Sequence, residues 1–425
     1  MVRDSSLAWR PPSVDQILRQ ATPAAPLSLR ARDILARINL CRSVALGRRK
    51  YDCADCQETI RVYNSCGERH CPVCSGGVRA DWMERTAQTL VPQTEYLQIV
   101  FTIPAQLSEL FMDNPVVTYN LLMRTAWSEL KKLLERLGIQ AGALIVLHTW
   151  NQRLGCHVHV HVLIAAGGVS LDGKRWVNVK QNPALAAGKQ EELGRTFRNT
   201  LCRRLRRLFA KDRLQLTGQF VHLADHAMFA QWLAQLAPRG FRVFVQPPPT
   251  NSSDPTVILK YLARYVTGGP ISNSRLVSWE NGQVTFMARS KEDPLPGQAK
   301  EKVPITISEV EFVRRWSTHI LPKGFTRVRH YGMSANRHRA AYLQKCRELL
   351  GIDDQSASAV GTEQDEPASE PDGEQADRWD LEDEGPTLPT HHCPKCGKPM
   401  RCLEFSSRPS WKVTMTGQYR PEWYT

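Results

Sequence analysis

Apolar side chains recur at every third or fourth position over several stretches of the chain, a spacing that predicts amphipathic helices. Two such stretches lie within residues 1–50, and longer ones cover residues 114–138 and 191–214. A further helix is predicted over residues 254–268, because this stretch opens with an Asp-Pro pair and closes close to a glycine.

Four shorter stretches are rich in β-branched and aromatic residues and predict strands. They cover residues 95–104, 143–150, 155–168 and 241–248. With the helices between them they give the order strand-helix-strand-strand-helix-strand, followed by another helix. This order predicts an α+β fold of the ferredoxin-like or RRM-like kind, in which helices pack on an antiparallel sheet.

The third of these strands, "GCHVHVHVLIAAGG", carries three histidines at alternate positions. His157, His159 and His161 therefore share one face of the sheet, whereas the intervening valines take the other face. Neighbouring imidazoles on a sheet supply two ligands of a metal site that still needs a third group and leaves room for substrate. The alternative is a surface strand with incidental histidines, but three of only 12 histidines fall in this register. Zinc, manganese and magnesium are all candidates, and a phosphate ligand would favour Mg²⁺ or Mn²⁺.

The chain has twelve cysteines, no signal-peptide core at its N-terminus and no apolar run long enough to span a membrane. We therefore expect a cytoplasmic protein, and in that reducing compartment clustered cysteines bind metal more often than they form disulfides. The stretch "CADCQETIRVYNSCGERHCPVC" places Cys53 and Cys56 before Cys71 and Cys74. Two C-x-x-C turns supply the four tetrahedral ligands of a structural zinc ion, and a catalytic cysteine or a disulfide is the weaker alternative.

Other cysteines and histidines lie close to C-x-x-C pairs. Cys66 and His70 stand between the first two pairs and could replace a ligand, join a second site or pack as buried residues. Near the other end of the chain, Cys393 and Cys396 form half a site. Cys402 or one of the two adjacent histidines could complete it, so the sequence leaves a second zinc site open.

The net charge of +14 is unevenly distributed along the chain. Residues 351–390 contain 13 acidic residues and one arginine, so the rest of the chain carries a net charge of +26. A body this basic indicates a polyanionic partner, most commonly nucleic acid, although a solvated surface without a partner is the plain alternative. The acidic segment is too poor in apolar residues to fold and is predicted to be a disordered linker.

A basic segment before this linker supports the nucleic-acid interpretation. Its positive side chains are interleaved with Phe325 and Tyr331, and aromatic rings stack on unpaired bases while positive charge holds phosphates. The predicted DNA-binding residues of this segment are Lys323, Arg327, Arg329, His330 and Arg337. A basic structural helix-turn without contact to nucleic acid is the alternative.

The predicted helix over residues 254–268 contains "KYLARY", which places Tyr261 and Tyr265 on one helical face. Two tyrosines at this spacing are more often packing residues. The basic body and the histidine strand favour a second interpretation, in which a divalent metal on a phosphate lets a phenol, with an ordinary pKa of about 10, attack the phosphorus. The products would be a phosphotyrosine and a released hydroxyl, so no nucleotide cofactor is required. Lys260 and Arg264 flank the tyrosines and are predicted to contact DNA.

Five motifs together resemble the HUH nuclease class of rolling-circle transposases, in particular the two-tyrosine, insertion-sequence ninety-one family. They are "YNSCGERHCPVC", "IVFTIP", "TWNQRLGCHVHVHVLIAAGG", "YLARYVTGGPISNSRL" and "LPKGFTRVRHYGMSANRHR". The resemblance covers roughly residues 30–350 and implies an HUH nuclease domain behind an N-terminal zinc-binding module. Two positions depart from the family's pattern: Arg49 stands where related zinc modules often have histidine, and "HVH" replaces the usual "HPH".

The resemblance implies that the chain cuts and rejoins single-stranded DNA through a 5′-phosphotyrosine. His159 and His161 match the HUH pair, and His157 is an additional histidine that could be the third metal ligand or support a ligand. Tyr261 and Tyr265 match the two nucleophiles of the family. Two nucleophiles would let one protein cut a second strand while it is still joined to the first.

Two other classes of protein share part of this pattern. A plasmid replication initiator or relaxase uses the same chemistry, and a zinc-dependent DNA-binding regulator without enzymatic activity would explain the cysteines and the charge. The sequence has no P-loop motif, so unwinding would fall to a host helicase or to transient single strands. The predicted domains are a helical and zinc-binding module (1–94), a nuclease core (95–290), a basic DNA-binding part (291–350), the acidic linker (351–390) and a small C-x-x-C tail (391–425). The sequence indicates no oligomeric state.

Overall fold

The computed structural model describes residues 12–179, 182–185, 190–236, 240–246, 259–260, 263, 269–290, 301–352 and 391–415. These residues divide into two compact units, each assembled from separate pieces of the chain. The cysteine unit takes its residues from 1–78, 267–320 and 378–425, and the histidine unit takes its residues from 79–266 and 321–377. The histidine unit runs across the predicted boundary at residue 94 and the cysteine unit across the one at residue 290, and each unit joins segments that are distant in sequence.

The strands of the described ranges are short and pair only in the antiparallel direction. In chain order they are β1 (Arg48–Asp52), β2 (Thr59–Tyr63), β3 (Tyr96–Thr102), β4 (Ile139–Gln140), β5 (Gly142–Trp150), β6 (Cys156–Ala165), β7 (Gly167–Ser170), β8 (Trp176–Asn178), β9 (Arg242–Gln246), β10 (Leu276–Glu280), β11 (Gln283–Arg289), β12 (Lys302–Ser308), β13 (Val328–Gly332) and β14 (Arg401–Phe405).

The helices have clear sequence signals at several of their ends. Ser28 and Ser308, for example, each accept a hydrogen bond from the backbone of the first turn of the helix that follows. In chain order the helices are α1 (Val14–Ala21), α2 (Leu29–Asn39), α3 (Ser75–Ala87), α4 (Ala105–Asp113), α5 (Pro115–Arg136), α6 (Glu191–Phe209), α7 (His226–Leu236), α8 (Glu309–Ser317), α9 (Asn336–Leu350) and α10 (Trp411–Met415).

The histidine unit is built on a five-stranded antiparallel sheet with the strand order β13-β5-β6-β3-β9. Strands β3, β5, β6 and β9 are the four that the sequence predicted, and α5 and α6 occupy the predicted positions between them. The predicted α+β fold is therefore confirmed. Strand β13 is an addition that the sequence analysis did not predict, and it pairs with β5 at one edge of the sheet.

Alternation along β6 separates the two faces of this sheet. Val158, Val160 and Val162 are fully buried in the large core that α4, α5 and α6 line. On the opposite face, Leu163 and Ala165 belong to a smaller apolar cluster that includes part of α3. Burial of each valine contributes about 1.5–3 kcal/mol, and a slip by one residue would move all three out of this core to the opposite face of the sheet. This burial fixes the face on which the histidines of β6 lie.

The cysteine unit contains two three-stranded sheets, in the orders β14-β1-β2 and β10-β11-β12. The helices α1 and α2 lie within the two stretches of the first 50 residues that the sequence predicted to be helical, and strand β1 begins at Arg48. The turn between β10 and β11 places Asn281 and Gly282 in the left-handed region, with φ of 51° and 70°. Asparagine and glycine adopt positive φ at a smaller cost in conformational energy than other residues, and here they allow a two-residue hairpin turn.

The predicted acidic linker lies outside the described residues, apart from its first two positions. Within the described part of the chain, no helix combines the length and the apolar character that a membrane crossing requires.

Candidate metal centres

Three histidines meet on one face of the central sheet. The antiparallel register of β5 and β6 pairs His148 directly with His159, and His161 lies two residues further along β6. Their ligand nitrogens lie within 4.8 Å of one another. The three residues are 4%, 8% and 6% exposed, respectively. Three convergent imidazoles suit a divalent ion that keeps coordination positions for a substrate, as in catalytic rather than closed structural sites.

The third member of this group is His148, which the sequence analysis did not single out. His157 instead lies beside His159, with their ring centroids 4.8 Å apart. Its backbone carbonyl accepts a hydrogen bond of 2.9 Å from Nδ1 of His159. A signal for His148 was present in "ALIVLHTW", because the two strands of a hairpin place alternate side chains on a shared face. To place His148 beside His159, the register between the two strands must be known, and the sequence alone did not give that register.

Hydrogen bonds at Nδ1 favour coordination through Nε2 for two of these imidazoles. A backbone carbonyl only accepts, so Nδ1 of His159 carries the proton and Nε2 the lone pair. Nδ1 of His161 lies 2.6 Å from the side-chain amide nitrogen of Gln98, on the neighbouring strand β3. If this amide is turned by 180°, its oxygen faces the ring and would accept a hydrogen bond from Nδ1–H. Both imidazoles then have the tautomer that metal binding requires.

Burial keeps His159 and His161 neutral. Desolvation, reinforced by the neighbouring imidazoles, lowers the pKa of His159 well below its usual value. Burial likewise lowers the pKa of His161 to about 4. At neutral pH the site therefore offers unprotonated nitrogens, the form in which imidazole binds metal.

An aromatic and cationic stack adjoins the histidine group. The Trp150 indole is stacked on the His148 ring, with centroids 4.4 Å apart and an angle of 29° between the planes. The Arg327 guanidinium carbon lies 4.6 Å from the centroid of the Trp150 ring. Its Nε donates a hydrogen bond of 3.2 Å to the carbonyl of Leu147. A guanidinium held on an indole beside the histidine group is well suited to contact a phosphate or a base.

The other residues predicted to bind DNA have varied surroundings. The exposed ones are Lys260, Lys323 and Arg337. The guanidinium carbon of Arg329 lies 4.9 Å from the centroid of the Phe325 ring. His330 is half-buried in β13, and burial lowers its pKa to about 4, so it adds no positive charge at neutral pH.

The predicted nucleophiles Tyr261 and Tyr265, together with Arg264, lie outside the described residues. Their neighbours Leu259 and Ala263 are helical and buried. Both belong to the apolar cluster on the sheet face that also carries the histidine group. The short described part of this predicted helix is therefore packed on the histidine face.

The first cysteine group consists of Cys41, Cys66, Cys71 and Cys74, whose sulfurs lie within 4.8 Å of one another. All four are buried and none forms a disulfide. Sγ of Cys74 lies 3.4 Å from Sγ of Cys41 and 3.6 Å from Sγ of Cys66. Tetrahedral Zn–S bonds of about 2.3 Å place sulfurs about 3.8 Å apart, so the group fits a closed zinc site. Hydrogen bonds from the Cys41 and Cys66 thiols lower the pKa of Cys74 and favour its thiolate.

The second cysteine group consists of Cys53, Cys56, Cys393 and Cys396, whose sulfurs also lie within 4.8 Å of one another. Sγ of Cys53 lies 3.7 Å from Sγ of Cys396, again close to the separation in a tetrahedral zinc site. The backbone N–H of Cys396 hydrogen-bonds the sulfur of Cys393 and lowers its pKa to about 7. The tail thus completes a site with the N-terminal pair.

The predicted single site of Cys53, Cys56, Cys71 and Cys74 requires correction, because the structure divides these cysteines between two groups. Cys53 and Cys56 lie in the turn that joins β1 to β2, whereas Cys66 follows the far end of β2. Five residues of strand separate the two ends of this hairpin by roughly 16 Å, far more than one metal ion can bridge. The first pair therefore takes its partners from the tail.

The other candidate ligands lie outside both cysteine groups. Nδ1 of His70 lies 2.8 Å from a carboxylate oxygen of Glu68. Cys402 lies in β14, where its sulfur is 3.4 Å from a backbone carbonyl of the same strand. The ring of His391 packs on Tyr51, with centroids 4.4 Å apart. Cys41 completes the first group, and the sequence did not point to it because it stands alone after α2, outside any C-x-x-C pair.

Comparisons with known proteins match this chain to transposases and to a transposase zinc-binding domain. A family model described as "Putative transposase" matches residues 142–341, and one described as "Transposase zinc-binding domain" matches residues 14–103. The chain is 36% identical to "Putative transposase y4qJ" of Sinorhizobium fredii over 330 residues, 77% of this chain and 80% of that protein. It is 26% identical to "Transposase for insertion sequence element IS801" of Pseudomonas savastanoi pv. phaseolicola over 322 residues, 75% of this chain and 73% of that protein. No solved structure matches the chain.

Proposed function

The chain belongs to the IS91 family of transposases, and we propose that it cuts and rejoins single-stranded DNA through a covalent tyrosine–phosphate intermediate. As a transposase, the protein acts on DNA. The observation that carries the proposal is the group of His148, His159 and His161, which are buried together on one sheet face. Buried Leu259 and Ala263 bring the chain that bears the two tyrosines to the same face.

In the proposed reaction, the phenolic oxygen of Tyr261 or Tyr265 attacks the scissile phosphorus. A bond forms between that oxygen and phosphorus, the bond from phosphorus to the 3′ oxygen breaks, and the phenol loses its proton while the 3′ oxygen gains one. The strand is then joined by its 5′ phosphate to the enzyme, and its 3′ end is a hydroxyl. Reversal of the same step by another 3′ hydroxyl rejoins DNA, so no nucleotide cofactor is consumed.

The three histidines would hold a divalent cation, which when bound would polarise the phosphate and offset the charge that develops during attack. Their own contribution is geometric, because hydrogen bonds at Nδ1 of two rings hold Nε2 in place. Three nitrogen ligands favour Mn²⁺ over Mg²⁺, since Mg²⁺ prefers oxygen ligands. A bound phosphate would supply oxygen ligands, which both ions accept.

The neighbouring stack supports a single-stranded substrate. Unpaired bases stack on aromatic rings and arginine planes, and Trp150 with Arg327 offers both beside the histidine group. The sequence carries no P-loop, so we assign unwinding to a host helicase or to transient single strands. Two tyrosines allow one chain to hold a cut strand while it opens a second.

The proposal is tested with a labelled single-stranded oligonucleotide taken from the end of the element, incubated with protein and Mn²⁺. We expect a labelled species that stays bound to protein in a denaturing gel and that depends on the metal. The double variant Tyr261→Phe/Tyr265→Phe should bind the oligonucleotide and form no adduct, whereas Tyr63→Phe in the cysteine unit should behave as wild type. Adduct from the double variant would remove these tyrosines from the reaction. Tight binding without adduct from the wild type would point to a DNA-binding regulator.

A further inference from the structure

Two C-x-x-C turns of the cysteine unit have the same backbone structure although they lie at opposite ends of the sequence. In the first, the N–H of Cys53 donates to the carbonyl of Glu58, and the carbonyl of Cys53 accepts from the N–H of Gln57, both over 2.9 Å. In the tail, Cys393 makes the corresponding pair of bonds with Lys398 and Gly397, both over 2.8 Å. Gln57 and Gly397 are left-handed, with φ of 53° and 72°. The chain therefore contains the same metal-binding turn twice.

The two turns face each other across the space that their sulfurs enclose. Cys53 and Cys396 are 343 positions apart in the sequence, yet their sulfurs are 3.7 Å apart. We propose that Cys53, Cys56, Cys393 and Cys396 bind one structural zinc ion that fastens the tail (residues 391–415) to the β1–β2 hairpin. The zinc-binding domain matched by the family model ends at residue 103, so half of this site lies outside it.

Charge complementarity supports the pairing of the two turns. The N-terminal turn carries Asp55 and Glu58, and the tail turn carries Lys395 and Lys398. The Lys398 ammonium lies 2.9 Å from a carboxylate oxygen of Asp55, and Lys395 pairs with Glu58. Such exposed pairs contribute little free energy, but opposite charges on facing turns select the correct partner. The tail is thus matched to this hairpin and not merely adjacent to it.

The tail also completes the fold of the hairpin. Strand β14 pairs with β1 from Arg49 to Asp52, so β1 becomes the central strand of its sheet. Tyr51 of β1 is only 1% exposed, in a small cluster with Cys53, Cys393 and Met400. Without the tail, β1 would present an open edge and the ring of Tyr51 would lose much of its cover. The zinc ion would hold in place a segment too small to dock by its apolar surface alone.

This site makes metal binding by the N-terminal pair depend on the tail. Cys53 and Cys56 alone supply two of the four ligands that a closed zinc site needs. Loading of the second site therefore requires the chain to have been synthesised through residue 396. The first site, which draws all its ligands from residues 41–74, has no such requirement.

The test is the zinc content of the full-length chain and of paired variants, purified and dialysed in parallel. Cys393→Ser/Cys396→Ser should lose about one zinc per chain, and so should Cys53→Ser/Cys56→Ser. The quadruple variant should lose about one as well, because both pairs serve the same ion. Cys402→Ser, a cysteine of the same tail outside the group, should lose none. A quadruple variant that loses about two, or a tail variant that loses none, would overturn the proposal.

A second experiment tests the proposal without changing the cysteines, in case the cysteine variants fail to fold. A specific protease site is inserted within residues 353–390 of the otherwise unchanged chain, which is purified with zinc and then cut. We expect the tail fragment to co-elute with the body in gel filtration, and to separate from it when a chelator strips the zinc. A fragment that separates while zinc is present, or one that stays bound after both cysteine groups have lost their metal, contradicts a zinc-dependent attachment.

Discussion

His148 lies directly opposite His159 across the β5–β6 hairpin, and their ring centroids are 5.1 Å apart. This relationship changes the candidate nuclease site from a pair of histidines on one strand to three ligands on two strands. A site that spans two strands depends on the hairpin register, which the buried valines of β6 fix from the opposite face. Packing of the core therefore sets the geometry of the proposed metal ligands.

His148→Ala should impair metal-dependent DNA cleavage as strongly as His159→Ala. We expect each to lower the rate of adduct formation by more than about 100-fold and to weaken Mn²⁺ binding, because each removes a proposed ligand rather than a supporting group. Affinity for the oligonucleotide should change little. His157→Ala is the matched control, since its backbone carbonyl still orients His159 and its loss should cost less than about tenfold. If His157→Ala is the more damaging change, His148 is not the third ligand.

Gln98→Leu should weaken metal binding without unfolding the sheet. It removes the amide that lies 2.6 Å from Nδ1 of His161 and leaves a side chain of similar size. Loss of such a supporting hydrogen bond typically costs about 10–100-fold in metal affinity. Gln98→Glu should restore most of it, because a carboxylate accepts from Nδ1–H. Equal Mn²⁺ affinities for the wild type and Gln98→Leu, measured by titration, would show that the amide does not hold this imidazole.

Elements with a short, regular period were predictable from sequence, whereas their pairing was not. The alternating histidines and valines of β6 predict a two-faced strand, and the structure confirms that separation. The partner His148 depends on the register across an irregular hairpin, with a shift between His148 and Trp150. Similarly, the two nearest C-x-x-C pairs look like one site until the length of the hairpin between them is considered.

Some missed elements did have a local signal. Asn281-Gly282, between two alternating stretches, is a strong indication of a tight hairpin, and it forms the turn between β10 and β11. The tail is a different case, because no local pattern relates Cys393 to Cys53 from more than 300 residues away. The pairing of the two C-x-x-C turns is indicated by their identical backbone structure and by the opposite charges of their facing side chains. Both features are recognised only in the folded structure.

Arg327→Ala should weaken binding of single-stranded DNA and slow the reaction. It removes a guanidinium 4.6 Å from the Trp150 ring, next to the histidine group. A lost stacking contact is worth about 1–3 kcal/mol per base, or about 5- to 150-fold in affinity. Arg327→Lys keeps the charge but not the planar group, so it should recover only part of the loss. Lys323→Ala, an exposed charge of the same segment, should show the smaller effect of charge alone. Equal losses of DNA affinity for Arg327→Ala and Lys323→Ala would show that Arg327 contributes only through its positive charge.

The half-buried His330 should make the stability of the histidine unit depend on pH. Burial lowers its pKa from 6.5 to about 4. Between these values the unfolded chain binds a proton that the folded chain does not, so the free energy of unfolding should be highest above pH 6.5, fall as the pH drops, and level off below pH 4. His330→Asn removes this group and should reduce the slope, as followed by urea unfolding with tryptophan fluorescence at several pH values. Identical slopes for the wild type and His330→Asn would show that the buried imidazole does not contribute to this dependence.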